Sequence, residues 1–352
     1  IAAAATMTIL SCNNTGKTPT PGQVAAGIME RQADVVQSAM AAEWEVERSR
    51  RIALDFNKTE EEALAYIRQF FPDVTSEQMK KWEASGALES MNINGEKRYF
   101  SRAFRNLFRI DSTCREKFLE INGPEEDPKA PLLQEHLPRV VALTKTKGTD
   151  KAEPVTYSIT YTLTVPANTI PEGEIIRAWM PLPRTDIPRQ KDFRLTEVSE
   201  PEYIISPDRY VHKSIYMEKK AVKDSPAVFS YSFTYTAYAQ YNHFDPLQDV
   251  LPYNTSSTDY KEYTKAVPPH IVTDGKVAEL AKQIIGDESN PYLQLKKIFS
   301  YISRNYPWAG AREYSTLESI PLYVLENGHG DCGQVSLLFI SMCRSLGSPA
   351  RW

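Results

Sequence analysis

Cysteine is scarce. Four thiols, Cys12, Cys114, Cys332 and Cys343, in 352 residues are too few for a disulfide scaffold. Cys332 and Cys343 stand 11 positions apart in what reads as one helix, roughly 16 Å at 1.5 Å per residue. A disulfide needs Cα atoms within about 7 Å, so these two cannot pair, and Cys114 has no obvious partner. Cysteine and histidine do not fall at zinc-binding spacings either, so no metal is expected. No apolar run approaches the roughly 20 residues of a membrane-spanning helix. An excess of one charge is also missing: 41 basic against 45 acidic residues leave a net charge of -4, which implies no global attraction to nucleic acid. There is no repeat or low-complexity segment.

What remains is the composition of a soluble globular protein, 41% hydrophobic and 24% charged, long enough for more than one core. The first residues differ. "IAAAATMTILSC" has the small apolar character of a secretory signal, and polar "NNTGKTPTPGQ" follows at once. Ile9-Leu10-Ser11-Cys12 resembles a bacterial lipobox, in which Cys12 would carry lipid; an ordinary cleaved signal or a frayed helix is the alternative. Residues 1–12 are therefore expected to be a partial signal peptide and 13–23 a tether. The protein is expected to be exported, as a periplasm-facing lipoprotein of a bacterial cell envelope anchored to the membrane by lipid.

Residues 24–120 read as a mostly helical domain. Thr59–Glu62 and Thr75–Gln78 are capping boxes, and Gly86 suits the end of the second helix. Asn94-Gly95 predicts a tight hairpin turn. Arg98, Arg102, Arg105 and Arg109 fall at the spacing of one helical stripe, a solvated face or an anion-binding one. The Pro- and charge-rich residues 121–150 read as a linker. In "VTYSITYTLTV" (155–165) and "FSYSFTYT" (229–236) apolar and aromatic residues alternate with Thr and Ser, the period of half-buried strands. They predict a β-sandwich over 151–265, with the aromatic face as core rather than a sugar platform. From 266 the period becomes helical: Asp274 caps a helix ending at Gly286, and Asn290-Pro291 opens another.

The chemistry gathers in "GHGDCGQVSLLFISMCRSLGSPARW" (328–352). Gly328 and Gly330 permit a tight turn and close approach of a substrate backbone. From Gln334 the residues are apolar nearly all round, so Cys332 falls in the first turn of a buried helix. A helix N-terminus favours a thiolate, and its free amides can hold an oxyanion. Cys343 lies deep in the same helix and reads as core. From these residues alone Cys332 is structural or catalytic.

The segment resembles the core motif of the transglutaminase-like superfamily: Gly-x-Cys at a helix start, an apolar helix, then Arg-x-Leu-Gly-x-Pro-Ala-Arg entering a strand. Ser348 departs from it, standing where an aliphatic residue is common. The resemblance covers roughly 150–352 and implies the first part of a papain-like core over 266–352; with the mostly helical region and the antiparallel β-sandwich read above, the expected fold is α+β and multidomain. The resemblance also implies a Cys-His-Asp triad with Cys332 as nucleophile and no cofactor; Gly333, Gln334 and His329, next to it in sequence, are candidates for minor roles. The His and Asp are expected on strands beyond Trp352. His136, His212, His243 and His270 carry no local signature. The implied function is cysteine-dependent acyl transfer at peptide or isopeptide amides, such as cell-wall peptide, by hydrolysis or transamidation. The alternative is a non-catalytic scaffold lipoprotein with a degenerate domain. With the covering strands placed after Trp352, Val335, Leu338, Phe339 and Met342 are expected to be partly uncovered.

Overall fold

The computed structural model describes residues 40–124, 126–210, 212–245 and 250–352; the lipobox and Cys12 lie outside the described residues. The chain divides into two compact units. One takes the chain up to Pro124 together with Val250–Trp352, and Glu125–Asp249 forms the other as an insertion.

The first unit opens with α1 (residues 40–55), α2 (Glu60–Ile67) and α3 (Ser76–Ala84). Both expected capping boxes are made: Glu62 N donates to Thr59 Oγ1 at 3.1 Å, and Gln78 N to Thr75 Oγ1 at 3.2 Å. The hairpin β1 (Ser90–Ile93) and β2 (Glu96–Tyr99) turns on Asn94 and Gly95, both at positive φ, the conformation that this dipeptide tolerates. α4 (Ala103–Ile110) and α5 (Ser112–Asn122) follow. Phe56, Ile67, Leu88, Tyr99, Phe100 and Leu107 make a fully buried core. The arginine stripe is broken, because the hairpin puts Arg98 on β2 and only Arg105 and Arg109 lie within α4.

The inserted unit begins with α6 (Ala130–Lys147), where a linker was expected. It then forms β3 (Lys151–Val165), β4 (Ile175–Pro181), β5 (Gln190–Val198), β6 (Tyr203–Ile205), β7 (Ser214–Lys220) and β8 (Ala227–Gln240). These make two antiparallel sheets, ordered β3-β8-β5 and β4-β7-β6. Met180, Ile215 and Met217 of one meet Phe229, Tyr231 and Phe233 of the other in a shared core, so the unit is a sandwich. The two alternating segments behave differently. The face of central strand β8 is buried, whereas Tyr157 and Tyr161 on edge strand β3 are 44% and 40% exposed: alternation marks the strand, and place in the sheet decides burial.

The chain then completes the first unit with α7 (Thr258–Thr264), α8 (Gly275–Ile285), α9 (Pro291–Asn305), a single 3₁₀ turn (Tyr314–Thr316), α10 (Ile320–Asn327) and α11 (Cys332–Ser345). The expected apolar patch on α11 is uncovered only in part. Leu338 and Met342 are fully buried, and Val335 and Phe339 are partly buried, against Val277 and Ala281 of α8, Ile298 and Ile302 of α9, and Val324 of α10. Helices, not strands, cover this side. Buried Arg344 then ties down the end of the segment, donating to Ala350 O at 2.8 Å and Lys265 O at 2.6 Å. Ser348 accepts from Tyr253 Oη at 3.3 Å, so its hydroxyl is satisfied where an aliphatic residue would only pack.

The two halves of this unit are joined by side chains of the first half holding residues 310–323 of the second. Buried Asn106 donates to Gly310 O at 3.0 Å and accepts from Gly310 N at 2.8 Å, as a peptide group would. Asp55 accepts from Glu313 N at 2.7 Å, and Arg48 donates to Thr316 O at 3.0 Å. Glu89 takes Arg312 at 3.2 Å and the Tyr323 hydroxyl at 3.0 Å. The helical region and the Cys332 segment thus share one unit instead of standing as separate domains.

Candidate active site

The site is built on the start of α11. Gly328, in the left-handed conformation, ends α10, and Ala309 N donates to Gly330 O at 3.0 Å, fixing the approach to the helix. Asp331 then caps α11. Its Oδ1 accepts from Gln334 N at 2.9 Å while Gln334 Oε1 accepts from Asp331 N at 3.2 Å. This D-x-x-Q pair is the same kind of signature as the two Thr boxes, so it is legible in the sequence.

Cys332 is the first residue of the helix and its thiol is free and exposed. The amides of Cys332 and Gly333 have no acceptor among the described residues, as expected of a first turn. Cys343 is buried, and burial pushes its thiol up to about 12. Cys114 is buried too; burial first, and the Asp111 carboxylate second, hold its thiol well above the usual range. Of these three cysteines Cys332 is the one that can meet a substrate.

Beside it lies a cleft of about 380 Å³ lined by Asp55, Ala311, Arg312, Glu313, Tyr314 and Asp331. Arg312 lies 5.1 Å over the Phe56 ring and is paired with Glu89. Burial raises both the Glu89 and the Asp55 carboxyl, against the pull of Arg312. The Tyr314 hydroxyl donates to Asp331 and lies over Gly333, where an added β-carbon would meet it. A larger groove of about 690 Å³ runs between α8 and α9; its lining takes in no residue from the start of α11, whereas the smaller cleft includes Asp331, the residue before Cys332.

The other expected residues fall out differently. Gln334 is fully buried as half of the cap. His329 is buried: its Nε2 has no partner among the described residues, the backbone of Gly86 holds the ring, and the Tyr323 ring packs T-shaped against it with centroids 6.2 Å apart. Burial lowers its proton affinity below that of an ordinary imidazole, so it is a neutral interior residue here. His136 pairs with Glu153 at 2.9 Å and His243 meets Thr144 at 3.2 Å, both within the inserted unit. Among the described residues no histidine bonds the Cys332 thiol. Tyr314 and Asp331 are the site residues that the sequence reading passed over. Tyr314 carries no local signal, because its partner is 17 residues away.

Comparison with known proteins agrees on the core. Residues 278–352, most of α8 through α11 and the segment behind them, match the family model of the transglutaminase-like superfamily. The chain is also 25% identical over 207 residues to a Haemophilus influenzae protein that carries no functional name, covering 55% of this chain and 53% of that one. It thus spans about half the length of the curated relative it matches. Two crystal structures are similar at lower levels. One is a candidate cysteine protease from Cytophaga hutchinsonii (TM-score 0.43, 19% identity, 56% of this chain and 66% of that chain). The other is a candidate protease from Parabacteroides distasonis (TM-score 0.20, 10% identity, 56% and 34%). Both are too distant to inform the site.

Proposed function

We propose that the protein is a cysteine-dependent acyl-transfer enzyme acting on peptide or isopeptide amides. One observation carries the reading: the exposed Cys332 thiol opens α11 beside two unclaimed amides and a cleft. In this mechanism the Cys332 sulfur attacks the amide carbon, and the Cys332 and Gly333 amides receive the developing oxyanion. Collapse expels the amine, which needs a proton, and the acyl-enzyme passes its acyl group to water or to a second amine. His329, buried and neutral, does not supply that proton; the family resemblance assigns it to a His oriented by an Asp on strands beyond Trp352. General acid–base help of this kind is worth on the order of 10²–10⁴ in rate.

A labelled peptide amide, assayed with and without a primary amine, tests this. Turnover by the protein extended past Trp352, lost in Cys332→Ala and reduced by about that factor in residues 1–352 alone, is the expected result. Turnover that survives Cys332→Ala sinks the reading. The location of the substrate, cell-wall or other envelope peptide, follows from the proposed lipid anchor at Cys12. Cys12→Ser should release the protein from the membrane fraction; wild-type protein already found soluble in the periplasm would exclude the anchor.

A further inference from the structure

We propose that Tyr314 is a positioning residue for the Cys332 thiol, acting through the Asp331 cap of α11. The inference rests on the nucleophile reading above and adds a residue to it. Observations from both sides of Cys332 converge on one phenol oxygen. On one side the hydroxyl donates to Asp331, the carboxylate that caps α11 one residue before Cys332. On the other it covers Gly333, one residue after Cys332, where an added β-carbon would collide with the hydroxyl and lie 3.2 Å from Cζ. Glycine is a poor helix residue, and here its missing side chain is the space that the phenol fills. The ring itself is placed by the 3₁₀ turn Tyr314–Thr316, on a segment held by Asp55 and Arg48.

The chemistry follows from charge. A capping carboxylate stabilises the helix start but sets a full negative charge beside a sulfur that must itself become negative. A phenol donating to that carboxylate disperses its charge while leaving the cap on Gln334 N intact. Tyr314 keeps its proton throughout: burial first, and the Asp331 carboxylate second, hold it well above its ordinary range. Other charges face the same cleft, and each has a partner. Arg312 is met by Glu89, Glu313 by Arg51 at 3.4 Å, and Asp55 by the Glu313 amide. Asp331 is thus the carboxylate whose charge Tyr314 governs.

The test is the rate of iodoacetamide alkylation of Cys332 against pH in the folded chain, with buried Cys343 and Cys114 staying unlabelled as the check on folding. Tyr314→Phe keeps the ring and removes the donor. It should slow labelling near neutral pH by about threefold, the equivalent of half a pH unit. Gly333→Ala, which displaces the phenol, should give a similar loss, and the double variant no further loss. If Gly333→Ala exposes Cys343 by unfolding, Tyr314→Phe decides alone. Superimposable rate–pH curves for wild type and Tyr314→Phe overturn this inference and leave the nucleophile reading standing. A wild-type Cys332 that labels no faster than it does in urea overturns both.

Discussion

At the scale of single residues, the interior around Cys332 sets the sign of two substitutions. Gly333→Ala at an ordinary helix position would stabilise by up to about 1 kcal/mol. Here the new methyl meets the Tyr314 ring, and overpacking of that kind costs about 1–3 kcal/mol. The net effect should be destabilising in urea titration; a more stable variant would mean that the phenol moves aside freely. His329 gives the second test. Burial depresses its folded-state proton affinity below that of an ordinary imidazole. The unfolded chain therefore takes up the proton first, and folding stability falls as pH drops through the usual imidazole range. Compared with His329→Gln, which has nothing to titrate, wild type should lose stability on going from neutral to mildly acidic buffer. Parallel stability–pH curves for the two would mean that His329 protonates as easily in the folded state.

At the scale of elements, α11 joins the site to the core. Leu338→Ala, at a fully buried position between α8, α9 and α10, should cost about 3 kcal/mol. Asp331→Ala removes the carboxylate half of the capping box while keeping the residue 331 amide that donates to Gln334, and should cost about 1 kcal/mol. Equal losses from the two would contradict this division between core and cap. The elements with local signals were legible in the sequence: the Thr caps of α2 and α3, the Asn94-Gly95 hairpin, the period of β8 and the onset of α11. α6 was not, because two prolines and a run of charge read as a linker. Pro131 occupies the first turn of that helix, where no amide bond is lost, and exposed Pro138 frees a carbonyl to water. The arginine stripe failed for the opposite reason: its spacing ran from β2 across the junction into α4, although the Asn94-Gly95 turn had announced the strand that holds Arg98. Of the site, Cys332 was readable, since position in a helix is local, and Tyr314 was not, since it reaches Asp331 through the fold.

At the scale of the whole molecule, the chain crosses the inserted sandwich and returns to the same unit, so the contacts that complete the site are separated by more than 200 residues. Asn106 and Gly310 are 204 positions apart, and Glu89 and Arg312 are 223 apart. No local pattern could report them. They also predict how the protein fails. Glu89 and Arg312 keep side-chain exposures of only 16% and 11%, and Tyr323 spends its hydroxyl on Glu89 as well. Removing one partner leaves a buried charge uncompensated, which costs about 3–5 kcal/mol. Glu89→Ala should therefore lower the unfolding transition of the unit that contains Cys332. The Gly310 and Glu313 amides, held by Asn106 and Asp55 on the same segment, should exchange hydrogen faster. Phe229→Ala is the control, since Phe229 lies fully buried in the separate core of the sandwich and its loss should cost a comparable 3–5 kcal/mol or so there. Calorimetry should show each substitution moving its own transition, with Cys332 alkylation altered by Glu89→Ala and untouched by Phe229→Ala. If both variants shift one common transition, the insertion and its host unfold together, and the site is supported by the whole chain instead of the unit that encloses it.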